Sequence, residues 1–240
     1  MSGFIDLHCH FVVGIDDGAR TLADALAMLK DLRALGFETV VATPHMRPSM
    51  FPNTKADLER AFARTTATLP KEGLPTIALS SEHFFDDIVF GRLLSGEALP
   101  YPGEKAALVE FGYEAFPLRA ADRFFDLRRR GLRPVLAHPE RYRPVWQSPK
   151  VLDPLLEAGA VLLLDVAALV GKYGRSSQRA AEVLLEEGYY DAACTDAHKP
   201  SDIDDVARGI ERLAKLCGDD EVAWLFREGP ENILSGKLDG

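Results

Sequence analysis

The segment Ile5-Asp6-Leu7-His8-Cys9-His10 reads as a buried β-strand that ends in two histidines at i, i+2. Strand side chains alternate faces, so Asp6, His8 and His10 can point one way while Leu7 and Cys9 point the other. Two imidazoles projecting together make a ready pair for a divalent cation. The rest of the chain supplies the scaffold around this strand. Short β-branched or aliphatic runs recur at residues 4–7, 38–43, 76–79, 106–110, 133–137, 161–166 and 192–195, separated by longer amphipathic segments. Alternation of this kind specifies βαβ units on a parallel sheet. Seven runs in 240 residues predict an α/β protein, a seven-fold relative of the TIM barrel; a doubly wound open sheet gives the same local pattern. Either architecture places an active site at the C-terminal ends of the strands.

The intervening helices carry ordinary packing signals. Thr21 is a candidate N-cap with Asp24 three residues on, and Leu22, Ala25, Leu26, Leu29 and Leu32 follow at helical spacing. Gly36 can close that helix in a left-handed turn. A second helix begins after Asn53 or Thr54 and ends before Pro70.

The chemistry-bearing residues collect at the strand ends. His45 ends the second run in Ala42-Thr43-Pro44-His45, Glu82 follows the third and Glu110 ends the fourth. His138 ends the fifth in Ala137-His138-Pro139-Glu140-Arg141, and Asp196 and His198 end the seventh, repeating the i, i+2 spacing. Asp16 and Asp17 lie on the loop after the first strand, and the residues alone do not choose between them. A lone histidine at a strand end is usually structural. Here five of the six histidines occupy one rim, each near a carboxylate, which points to multinuclear metal binding. The sixth, His83, follows Glu82 directly and faces the other way, so it is read as structural. Cys9, between two candidate ligands, is read as core.

Composition narrows the function further. The net charge of −9 disfavours a nucleic-acid binder held by a basic face. No apolar stretch approaches the ~20 residues of a membrane helix. Residues 1–6 lack the basic flank and apolar run of a secretory signal. The three cysteines, Cys9, Cys194 and Cys217, are odd in number and widely spaced, which fits a reducing compartment rather than a disulfide framework. None is followed by arginine six positions on, so a cysteine-phosphatase loop is absent. These features predict one cytoplasmic domain spanning residues 1–240.

The chain resembles the polymerase-and-histidinol-phosphatase (PHP) superfamily. Within it, the chain is similar to the manganese-dependent bacterial protein-tyrosine phosphatases of capsule and exopolysaccharide synthesis. The likeness runs from Ile5-Asp6-Leu7-His8-Cys9-His10 through Gly14-Ile15-Asp16-Asp17-Gly18-Ala19-Arg20-Thr21 and Ala137-His138-Pro139-Glu140-Arg141-Tyr142 to Pro230-Glu231-Asn232-Ile233-Leu234. It implies a distorted seven-stranded (β/α)7 barrel holding three divalent ions, manganese by resemblance, with iron(II) or zinc equally compatible with the donors. By the same resemblance His8, His10, Glu82 and Asp196 hold one ion. Glu82, Glu110 and His138 hold a second, and Asp17, His45 and His198 a third. Two segments depart from the pattern. Residues 162–169 are more apolar than the polar segment of relatives, leaving Asp165 to supply any polar contact, and Met46-Arg47-Pro48-Ser49-Met50-Phe51 lacks a second histidine.

Four ligand carboxylates against three divalent ions leave surplus positive charge, which attracts a phosphate dianion. The implied reaction is attack on phosphorus by water that the ions have made acidic. Arg141 is the preferred phosphate clamp, because a guanidinium grips two oxygens at once. Arg47, Lys199 and Phe51 are candidate substrate contacts, Phe51 for a tyrosine ring. The implied partner is a phosphotyrosine protein, in particular the tail of a bacterial tyrosine kinase in polysaccharide export, and neither nucleic acid nor membrane insertion is expected. The rivals are a small-molecule phosphatase of the histidinol-phosphate type and a metal-stabilised regulatory module without catalysis. Chelation is expected to abolish phosphatase activity and manganese to restore it, while thiol alkylation leaves turnover intact; full turnover in a rigorously metal-free preparation would sink this reading.

Overall fold

The computed structural model describes residues 3–237, so Met1 and Ser2 of the N-terminal segment lie outside the described residues. The first strand, β1 (Phe4–Cys9), leads through a loop to α1 (Leu22–Ala34). Thr21 and Asp24 cap that helix reciprocally: the Asp24 N–H donates to Thr21 Oγ1 at 3.1 Å, and the Thr21 N–H to Asp24 Oδ2 at 3.0 Å. Ala25, Met28, Leu29 and Leu32 form its buried stripe. Gly36, at φ 100°, turns the chain into β2 (Phe37–Ala42), and its carbonyl accepts from the Phe4 N–H at 2.9 Å.

β3 (His45–Met46), α2 (Lys55–Thr66), β4 (Thr76–Leu79), β5 (Glu82–Phe84) and α3 (Asp87–Ser95) come next. Then follow β6 (Ala106–Glu110), α4 (Ala120–Arg129), β7 (Arg133–Ala137), α5 (Arg143–Gln147) and α6 (Asp153–Glu157). β8 (Val161–Asp165), α7 (Arg175–Glu186), β9 (Ala192–Cys194), α8 (Ile203–Cys217), α9 (Asp219–Ala223) and α10 (Gly229–Ser235) complete the order. No helix is long and apolar enough to cross a membrane among the described residues.

The result is a mixed α/β fold in which every strand pairing is parallel, in two sheets ordered β1-β2-β4 and β3-β5-β6-β7-β8-β9. The described residues form nine strands where the sequence offers seven runs, because two stretches are interrupted. Pro44 has no N–H to continue the ladder, so the second stretch breaks into β2 and β3. The third breaks at Ser80-Ser81 into β4 and β5. Local hydrogen bonds bridge the breaks: the Ser80 N–H donates to Ala42 O at 2.8 Å, and the Glu82 N–H to Thr43 O at 3.3 Å.

The ends of β9 and β1 are tied directly. The Asp196 N–H donates to His8 O and the His10 N–H to Ala197 O, each at 2.9 Å. Thr195 Oγ1 donates to Asp6 Oδ2 at 2.6 Å, and the Thr195 N–H to Asp6 Oδ1 at 3.0 Å. Asp6 therefore does not join His8 and His10 as simple alternation implies. Leu7 packs with Leu108, Val135 and Ala137, whereas Cys9 packs in the larger cluster with the helices. The β1–β2 register shifts between Asp6 and Cys9, and an irregularity of this kind re-aims the side chains beyond it.

β6 and β8 are buried along their whole length and read as continuous apolar runs, the pattern of parallel strands covered on both faces. α8 crosses the turn at Val166–Val170 so closely that a Cβ on Gly209 would stand 2.4 Å from Val166 O. Gly209→Ala is expected to lower stability by about 1–3 kcal/mol, the range of core overpacking. Thermal unfolding would read this, and an unchanged midpoint would show that α8 can shift freely.

Candidate metal centre

The strand ends converge on one buried carboxylate. Glu82 opens β5, where it pairs in register with His45 of β3. Its Oε1 lies 3.3 Å from His8 Nε2 and 2.9 Å from His138 Nε2. Its Oε2 lies 3.0 Å from His45 Nδ1 and 3.5 Å from His10 Nε2. Asp196 Oδ1 approaches His8 Nε2 at 3.1 Å and His10 Nε2 at 3.4 Å, and Glu110 Oε1 is 3.4 Å from His45 Nδ1. At the more open edge, Asp17 Oδ1 lies 3.4 Å from His45 Nε2 and 3.5 Å from His198 Nε2.

These residues pass a test of fit for divalent ions. His8 Nε2, His10 Nε2, His45 Nδ1, His138 Nδ1, Glu110 Oε1 and Asp196 Oδ1 are all buried without a hydrogen-bond partner. Each such atom costs about 1–3 kcal/mol unless something else satisfies it, and here all but His138 Nδ1 lie 3.1–3.4 Å from another of the set. Nitrogen and oxygen donors without thiolate suit manganese, iron(II) or zinc. Four sets bring ligand atoms within 4.8 Å of one another: His10, Asp17, His45 and His198; His8, His10 and Glu82; His8, His138 and Asp196; and His45, Glu82 and Glu110. Together they contain every candidate ligand named from the sequence, but divided differently. His138 groups with His8 and Asp196, and His45 reaches towards both Asp17 and Glu82. His138 and Asp196 also hold left-handed backbone, at φ 36° and 43°, a strained conformation that concentrates at functional sites.

Around this centre, second partners orient the rings. His8 Nδ1 lies 2.6 Å from Thr43 Oγ1, and His10 Nδ1 lies 2.8 Å from Asp16 Oδ2. Asp16 also accepts from the backbone N–H of His45 and of Gly18, each at 3.0 Å. The two neighbouring aspartates thus part company: Asp17 faces the ligand set and Asp16 braces the rings from behind. A Cβ on Gly18 would stand 2.1 Å from His10 O, so the loop docks only with glycine there.

His83 is absent from these sets. Its Nδ1 lies 2.6 Å from Leu108 O, Leu99 N–H donates to its Nε2 at 3.3 Å, and burial pulls its pKa down to about 4. Cys9 is buried with its thiol 3.6 Å from Ala197 O.

Arg141 connects the cluster to the surface. Its Nη1 donates to Asp196 Oδ2 at 2.6 Å and sits 3.9 Å from Asp165 Oδ2. The guanidinium lies 4.3 Å from the Tyr173 ring centroid and 5.1 Å from that of Tyr113, whose hydroxyl accepts from Nη2. Behind it, burial and the nearby Asp165 push Glu140 up to about 8, and Tyr190 OH donates to it at 3.0 Å. Asp165 is the polar residue of the otherwise apolar 162–169 segment, as its sequence suggested. The loop after His45 packs against the centre. Phe51 stacks on His45 at 5.1 Å with planes 4° apart, and Arg47 lies 4.2 Å over Phe84 with Nη1 4.0 Å from Glu110 Oε1. Lys199 is exposed. Sequence reasoning missed Thr43, Tyr113 and Tyr173; only the nearness of Thr43 to His45 and of Tyr113 to Glu110 hinted at them.

A rim of imidazoles and carboxylates with an adjoining guanidinium is built to hold cations and, through them, an oxyanion. Known proteins agree with this geometry. The capsular polysaccharide synthesis family CpsB/CapC matches residues 4–235. Tyrosine-protein phosphatase YwqE of Bacillus subtilis (strain 168) is 31% identical over 198 residues, covering 81% of this chain and 77% of that protein. Tyrosine-protein phosphatase CpsB of Streptococcus pneumoniae is 24% identical over 242 residues, covering 98% and 99%. A chain from the crystal structures of YwqE from B. subtilis and CpsB from S. pneumoniae, described as unique metal-dependent tyrosine phosphatases, superposes with a TM-score of 0.87. It is 29% identical and covers 96% of this chain and 94% of that one.

Because Asp16 orients His10 from outside the ligand set, Asp16→Ala is expected to weaken divalent-metal affinity by about 10–100-fold while the fold survives. Titration calorimetry with manganese beside circular dichroism would check this, and unchanged affinity would remove Asp16 from the centre.

Proposed function

The chain belongs to the CpsB/CapC capsular polysaccharide synthesis family, and from that membership we infer that it is a metal-dependent tyrosine phosphatase. The observation that carries the reading is the convergence of unpartnered imidazole and carboxylate atoms beside one guanidinium. Three divalent ions, manganese in the first instance, are assigned to it. His8, His10, Glu82 and Asp196 would hold the first, Glu82, Glu110 and His138 the second, and Asp17, His45 and His198 the third. This division is the one the resemblance implies, whereas by distance His138 groups with His8 and Asp196. When bound, such ions neutralise phosphoryl oxygens and make a water molecule acidic enough to act as nucleophile near neutral pH.

The chain's own residues do the remaining work. Arg141 holds the phosphate through paired N–H donors, fixed by Asp196 and by the two tyrosine rings. Burial of Glu82, Glu110 and Asp196 keeps water away from the charges and strengthens each interaction. A phenolate leaving group, with a parent pKa of ~10, departs with less help from an acid than an alkoxide needs. Asp16 and Thr43 hold the His10 and His8 rings in one orientation throughout.

The scaffold belongs to the same proposal. Counting the interrupted β2/β3 and β4/β5 stretches as one stave each makes seven. The β9–β1 ties support reading the described residues as a distorted (β/α)7 barrel, with the chain as one domain. The unbridged cysteines favour a cytoplasmic location. The substrate class is a phosphotyrosine protein, and a bacterial tyrosine kinase tail is the partner to try first.

With manganese supplied, kcat/KM is expected to favour a phosphotyrosine peptide over a phosphoserine peptide and over histidinol phosphate. Histidinol phosphate winning would move the protein to the small-molecule class. Arg141→Ala should lower kcat by about 10²–10³-fold, the usual loss for an oxyanion donor. Its metal content by elemental analysis should stay intact, and parallel loss of metal would recast Arg141 as a structural support.

A further inference from the structure

Beside Arg141 the surface opens into a cleft of about 280 Å³ lined by Tyr113, Arg141, Trp146, Tyr173 and Ser177, among others. Four features make it part of the site rather than a surface hollow. It shares Arg141 with the cluster, and the Tyr113 ring lies 6.4 Å from that of His138. Its walls are aromatic yet open, Tyr113 and Trp146 being 42% and 40% exposed. The indole of Trp146 is pinned by a hydrogen bond from Nε1 to Glu140 O at 2.8 Å, so the wall is preset. Finally, Ser177 Oγ is buried without a hydrogen-bond partner in the chain.

We infer that this cleft is the subsite for the aromatic ring of the phosphorylated tyrosine, with Tyr113, Tyr173 and Trp146 as specificity-determining residues. The inference rests on the tyrosine-phosphatase reading and says where that substrate lies. Arg141 itself lines the cleft, so a phosphate gripped there would direct its ester group past three aromatic walls. The space suffices, since an engineered cavity of roughly 150 Å³ admits benzene. The loop carrying Phe51 is the other candidate for the ring, but one face of Phe51 is already taken by His45. An alkyl phosphate such as phosphoserine gains nothing from the walls, so the cleft supplies discrimination as well as binding.

Only two tryptophans occur in the chain, and Trp224 lines no part of the cleft. A Trp224→Phe protein, which should keep full activity, therefore reports on Trp146 alone. In its manganese-loaded form, benzylphosphonate should change Trp146 emission saturably and methylphosphonate should not. Equal responses to both, or none to either, would overturn the subsite. In kinetics, Trp146→Leu and Tyr173→Leu should each cut the phosphotyrosine-to-phosphoserine ratio of kcat/KM by about tenfold, the order expected for lost aromatic contacts. Tyr173→Phe should keep the ratio. Loss of the ratio in Phe51→Leu alone would place the ring on the other loop and overturn the inference. A protein that responds to benzylphosphonate but hydrolyses no phosphotyrosine peptide keeps the subsite and loses the phosphatase reading. One that hydrolyses the peptide without the emission change loses the subsite alone.

Discussion

Glu82 is a buried carboxylate approached within 3.5 Å by four histidines from three separate strands, β1, β3 and β7. A buried charge is costly unless compensated, so its neighbours must be donors or cations. That requirement explains why β3, β5 and the ends of β1 and β7 all aim at one point. It also explains why so many imidazole nitrogens there lack a hydrogen-bond partner within the chain. The centre is held by what divalent ions would satisfy, and the fold supplies the means of gathering it.

The gathering depends on joining the two ends of the sequence. Asp6 and Thr195, 189 residues apart, bond through both side chain and backbone, and the His8 carbonyl receives the Asp196 N–H. These links bring Asp196 and His198 onto the rim that His8 and His10 begin. The left-handed backbone at His138 and Asp196 is the local cost of turning those side chains inward. Asp16 and Gly18 perform the complementary task at the first loop, locking His10 and the His45 backbone together.

Arg141 stands between the ligand cluster and the open cleft. One face of its function is the bond to Asp196; the other is the pair of tyrosine rings that stack on its guanidinium. A guanidinium fixed on both sides has little conformational freedom left to lose, and the same rings border the open cleft.

Strand runs, helix caps and the recurrence of histidine at strand ends are short-range features, set by side-chain period and by local hydrogen bonding. They were legible in the sequence for that reason: the Thr21–Asp24 box, the α/β alternation and the rim residues other than Asp17 can all be read along the chain. The exclusion of His83 followed from the two-residue period as well. What the sequence left open depended on contacts between distant segments. The breaks at Pro44 and Ser80-Ser81 raise the strands to nine, and the β1 irregularity sends Asp6 to Thr195 instead of the rim. Asp16 and Asp17 are chemically identical neighbours, and only their distances to His10, His45 and His198 separate a brace from a candidate ligand. Phe51 turned towards His45, and Tyr113, Trp146 and Tyr173 assembled into one cleft from three loops and helices, because side-chain packing is decided by what lies across space.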